Sequence, residues 1–124
     1  MTRPLALFVF ERVLPGGQLV NRLQDLGYRV QSLSAPATLV EQAEQEKPLL
    51  VLVDLEPDEQ AVCTAIEHLK KNSATAHIPV IAFAPAAQAG LQEAARAAGA
   101  TLVVQDTAIL AHLNQFLEQA LQVE

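Results

Sequence analysis

Two acidic residues close apolar runs in this 124-residue chain: Glu11 follows LALFVF (5–10), and Asp54 ends LLVLVD (49–54). Carboxylates gathered at one place raise the pKa of at least one of them unless a cation binds. The pair is therefore a candidate site for a cation or a small ligand, provided the two runs are neighbours. Other chemistry-bearing residues show less organisation. Pro15-Gly16-Gly17 matches neither G-x-x-x-x-G-K-[ST] nor G-x-G-x-x-G, so it reads as a turn into the first helix. An anion held at that helix start with help from Arg12 is the alternative. His68, His77 and His112 form no i, i+4 pair; the first and last are expected as surface or half-buried residues of helices and His77 in a structural loop. A lone cysteine, Cys63, excludes an internal disulfide framework and a multi-Cys zinc site. Its place within the third helix suits a small buried side chain. There is no Ser-centred elbow and no Cys-His nucleophile pair. An enzyme is not expected.

The elements that must position these acids follow from periodicity. Short apolar runs at 5–10, 28–33, 49–54, 80–84 and 101–104 alternate with segments of helical period. LALFVF, LLVLVD and VIAFA are nearly continuous in apolar residues, as expected of strands covered on both faces. YRVQSL alternates instead, which suits an edge strand. Helices are expected over about 17–26, 36–46, 58–71, 86–98 and 107–122. Gly27 and Gly99 stand at two stops, and Pro36 and Pro48 bracket the second helix. Five strands alternating with five helices predict an α/β fold, a doubly wound (βα)5 unit with a five-stranded parallel sheet in order 2-1-3-4-5, flavodoxin-like. Ligands on such a sheet bind beyond the carboxyl ends of strands one and three, where Glu11 and Asp54 lie.

Composition narrows the partners. Eight basic residues against fourteen acidic ones give a net charge of -6. No basic face is available to displace phosphate counterions or to bind anionic lipid, so nucleic acid and membrane surfaces are excluded. With 51% hydrophobic and 18% charged residues the chain is not disordered. Its size buries roughly two-thirds of the unfolded surface without any staple. The opening MTRPLALFVFER lacks a cleavage signature, and no apolar run reaches the ~18 residues of a membrane span. A single cytoplasmic domain over 1–124 is the expectation.

LLVLVDLEP followed by a helix, then AHIPVIAFA, then a helix ending AAGATLVV, resembles the receiver domain (CheY-like) of bacterial two-component response regulators over essentially the whole chain. The resemblance implies that Asp54 is the position that accepts a phosphoryl group from a histidine kinase. It also implies Mg2+ held by Asp54, by Glu11 and by the backbone carbonyl of Glu56. Several positions depart from the family pattern. Phe10 stands where one of an acidic pair is expected, Ala84 at the hydroxyl switch position and Val103 at the aromatic switch position. Asp106 stands at the lysine position, with Gln105 its neighbour if the fifth strand is one residue short. A carboxylate in place of an ammonium reverses a local term worth about 1–4 kcal/mol at ~4 Å. Ala84 cannot make the hydrogen bond that would shift a two-state equilibrium.

The resulting expectation is a stand-alone pseudo-receiver with a degenerate phosphorylation site, acting by contact with a protein partner such as a histidine kinase or an output protein. A true phospho-acceptor using Asp54 and Mg2+ is the first alternative. The second is a small ligand in the strand-end crevice near Glu11 and Asp54, walled by Phe10 and Phe83. The fifth helix carries Ile109, Leu110, Leu113, Phe116, Leu117, Ala120 and Leu121, a stripe wider than one core face usually needs. With Leu91 on the fourth helix, Ile109, Leu113, Phe116 and Leu117 are candidates for a partner or homodimer face. Simple coverage of the sheet is the other reading of the same stripe.

Overall fold

The structure, a computed structural model, describes residues 4–10, 13–33, 35–55, 59–85 and 89–122. Five parallel strands form one sheet: β1 (Leu5–Val9), β2 (Arg29–Leu33), β3 (Leu50–Asp54), β4 (Val80–Ala84) and β5 (Leu102–Gln105), in the order β2-β1-β3-β4-β5. The helices are α1 (Val13–Asp25), α2 (Leu39–Glu46), α3 (Glu59–Lys71), α4 (Ala89–Ala98), α5 (Asp106–Ala111) and α6 (Leu113–Gln122), with a 3-10 turn at Pro36–Thr38. The expected strand order is therefore the observed one.

Continuous apolar strands have no solvent side, and each alternate residue feeds a different layer. Ala6, Phe8, Leu50, Leu52, Ile81 and Phe83 pack beneath α1, α5 and α6 with Leu19, Leu23, Ile109 and Leu113. Leu7, Val9, Val51, Val53, Val80 and Ala82 pack on the opposite face against Leu39, Val62, Ile66, Leu69 and Ala95. Every residue of β1, β3 and β4 is buried. Alternation in the second strand does mark a sheet edge, where Arg29 and Ser32 are exposed. At the other edge lies β5, half-buried until Gln105.

Three boundaries differ from expectation. Pro15-Gly16-Gly17 is not a turn before the first helix but lies within α1, which begins at Val13. Proline in a first turn forfeits nothing, because those N–H groups have no partner inside the helix. The fifth strand runs one residue later than expected and ends at Gln105. The fifth helix is broken at His112, whose backbone departs to φ -123° and ψ 27°. Hydrogen bonding continues across the break, with Phe116 N–H donating to the His112 carbonyl at 3.1 Å.

The stop of α4 depends on one residue. Gly99 has φ +112°, and its N–H donates to the carbonyls of Ala95 and Arg96, closing the helix before β5 begins. A β-carbon there would stand 3.1 Å from Cγ of Lys70. Lys70 is itself held, since Nζ donates to the Ile78 carbonyl at 2.6 Å and ties the end of α3 to the entry of β4. Gly99→Ala is expected to cost about 1–2 kcal/mol, combining left-handed strain with that contact. A chemical denaturation curve checks it: the midpoint should fall while the slope stays unchanged.

Candidate functional site

The carboxyl ends of the strands bring together Phe10, Asp54, Ala84 and Gln105, because parallel pairing sets all four ends at one edge of the sheet. The register pairs Val9 with Val53, Asp54 with Phe83, and Ala84 with Gln105. Asp54 ends β3 with only 1% of its surface exposed. By alternation it follows Leu50 and Leu52, on the layer that contains Phe8 and Phe83. The rings beneath it form a small aromatic stack: Phe8 lies 4.4 Å from Phe10 and 5.9 Å from Phe83, centroid to centroid. Phe10 is half-buried on that stack and presents no oxygen.

Phe83 corrects one expectation. It is fully buried in the core and cannot wall an open strand-end crevice. Ala84 is also fully buried, a methyl group with no hydroxyl to offer. Val103 is half-buried opposite Ala82 and packs on the α2–α4 layer. Of the two residues considered for the lysine position, Gln105 is the one at the strand end, exposed and opposite Ala84. Asp106 is half-buried and opens α5, where a carboxylate complements the positive end of the helix. No lysine or arginine ends either β4 or β5.

Glu11 and Glu56, the other metal ligands that the resemblance implies, lie outside the described residues, as do Arg12 and Asp58. Among the described residues no three of His, Cys, Asp and Glu gather closely enough to hold a metal. The described strand ends thus supply one carboxylate, Asp54, beside an aromatic ring. A magnesium ion demands near-octahedral oxygen coordination, which Asp54 would share with the oxygens that the resemblance implies at Glu11 and Glu56.

The expected partner face is largely a core face. Ile109, Leu113 and Leu117 are 0%, 1% and 3% exposed and pack against Phe8, Leu19 and Leu23. Their spacing of four along α5 and α6 aims them at the sheet, so they are not available to a partner. Leu91 and Phe116 are half-buried, the latter edge-on to His112 at 6.3 Å. His68, His77 and His112 are exposed, and Cys63 is half-buried against the core.

No protein-family model and no curated protein matches the chain. Solved structures do. The receiver domain of a sensor histidine kinase from Pseudomonas aeruginosa PAO1, which carries magnesium in its active-site cleft, superposes with a TM-score of 0.84 at 22% identity, covering 98% of this chain and 99% of that one. The chemotaxis protein CheY4 of Vibrio cholerae gives 0.82 at 15% identity, over 96% and 99% of the two chains. A response regulator from Chloroflexus aurantiacus gives 0.80 at 15%, over 94% and 99%. The fold is that of receiver domains. Within the receiver fold, Asp54 takes the end of the central strand, and the remaining strand ends are apolar or neutral.

Proposed function

We propose that this chain is a receiver-like module of two-component signalling that works by protein contact, without phosphoryl transfer to Asp54. One observation carries the reading: among the described residues, the strand ends around Asp54 offer Phe10, Ala84 and Gln105, and so neither a hydroxyl nor a fixed positive charge. An amide at Gln105 forfeits a charge–charge attraction of about 1–4 kcal/mol at ~4 Å that an ammonium would give a transferred phosphoryl group. A buried Ala84 leaves nothing to hydrogen-bond it in one conformation and not the other. The fitting partner is a histidine kinase or a downstream output protein, and no helix among the described residues is long and apolar enough to cross a membrane.

Asp54 itself favours the second reading, a working phospho-acceptor. A carboxylate kept at the end of β3 is a nucleophile in the right place. Mg2+ would then rest on Asp54, Glu11 and the Glu56 carbonyl. One experiment separates the two readings. The protein is incubated with Mg2+ and acetyl phosphate, and intact mass is measured beside an Asp54→Asn control. No added phosphoryl group is expected. An adduct that forms on the wild type, and is absent from the control, would overturn the proposal.

A further inference from the structure

Two prolines limit α2. Pro36 opens the 3-10 turn and Pro48 follows the helix, leaving eight residues, about 12 Å at 1.5 Å each. Its neighbour α3 has thirteen residues, about 20 Å. The first half of α3 therefore faces a turn and not a helix. A trough of about 560 Å³ remains between them. Ala61 and Ala65 of α3 line it, with Ala37 and Val40 opposite. Gln60, Thr64 and His68 form its polar rim. One turn past His68, the Asn72 side-chain amide donates to Glu44 at 3.0 Å, tying α3 to α2 at that end.

Shape and charge both restrict the occupant. The trough is partly open to solvent, which suits an elongated occupant better than a small ligand that buries roughly 70–90% of its surface. The apolar ridge of a helix fits it better, because alanine side chains let a second backbone approach closely. Exposed carboxylates lie close in sequence to its lining: Glu41 is four residues from Ala37, Glu44 one turn from Val40, and Glu67 three residues from Thr64. Lys71 opposes them at the far end of α3, and the whole chain carries -6. We infer that the α2–α3 trough is the docking surface for an amphipathic helix of a partner protein, with an apolar ridge flanked by lysine or arginine. This gives the partner of the proposed function a place and rests on that reading, but it makes no use of Asp54.

The test is an amide NMR titration of the whole chain with a synthetic helical peptide, leucines at i, i+3, i+4 and i+7 and lysines elsewhere. Shifts are expected at Val40, Ala61, Thr64, Ala65 and His68. Binding should weaken at least about tenfold when the lysines are replaced by glutamates, or in the exposed-site variants Glu41→Lys/Glu67→Lys and Thr64→Arg. Unchanged melting of these variants shows that the fold is kept. Shifts centred on Leu91 and Phe116 would overturn this surface yet leave partner binding intact. Equal binding of both peptides, or of neither, would overturn it as well. An acetyl phosphate adduct on Asp54 would defeat the proposed function while leaving the trough standing.

Discussion

Leu117→Glu is expected to unfold the protein, whereas Phe116→Glu one residue away leaves it folded. Leu117 is 3% exposed and packs in the layer with Phe8, Leu19, Leu23 and Leu113. Losing that leucine from the core costs about 1.5–3 kcal/mol of burial. A carboxylate among apolar groups costs several kcal/mol more, or takes up a proton to avoid it. The sum is comparable to the whole stability of a domain this size, about 5–15 kcal/mol. The introduced acid would have its pKa raised in the fold. Its harm is therefore smallest below the usual carboxylate range and grows as pH rises through the raised value. Circular dichroism with urea denaturation at pH 7 and pH 4.5 measures both effects. A Leu117→Glu protein with the wild-type midpoint at pH 7 would show that this residue is not in the core. Phe116 is half-buried, so its variant instead probes self-association, read by light scattering.

Phe8→Ala is the second large effect. Phe8 is fully buried at the centre of the sheet layer and contacts the rings of Phe10 and Phe83. Truncating such a residue removes its burial and leaves a cavity that rigid strands on both sides cannot close, about 3–5 kcal/mol. The ring pairs add about 0.5–1.5 kcal/mol each beyond area. Phe83→Ala should fall in the same range, and the double variant should lose less than the two single losses together, because the shared ring contact is removed only once. Denaturant midpoints for the four proteins of that cycle give the coupling. A coupling of zero would mean that the two rings act independently. Since these rings lie beneath the end of β3, amide exchange at Asp54 should also quicken in Phe8→Ala.

Much of this architecture is legible locally. The continuous runs LALFV, LVLVD and VIAFA read as strands buried on two faces, and RVQSL, which alternates, lies at the edge. Their alternation with helical segments, and the right-handedness of crossovers, leaves the order β2-β1-β3-β4-β5 as the ordinary solution. Asp54 at a strand end was legible for the same reason. Helix boundaries were less so. Pro15-Gly16-Gly17 looks like a turn because glycine and proline are weak helix formers, yet a first turn tolerates both.

The stripe on the last helical segment shows where local pattern stops being informative. The stripe of apolar residues from Ile109 to Leu121 allows either a core face or a core face plus a docking face. Periodicity fixes which residues share a side of a helix but not how the helix is rotated against the sheet. Packing sets that rotation, and it sends Ile109, Leu113 and Leu117 inward while Leu110 and Phe116 stay at the margin. The α2–α3 trough was hidden for a similar reason, since its walls come from segments at least twenty residues apart. The same holds at the strand ends. Position counting left Gln105 and Asp106 both open, and only the pairing of β5 with β4 sets Gln105 opposite Ala84. Element type and order follow from interactions within a few residues, which the chain carries wherever it folds. Rotation, register and the spaces between helices depend on contacts between distant segments, and those exist only once the sheet has formed.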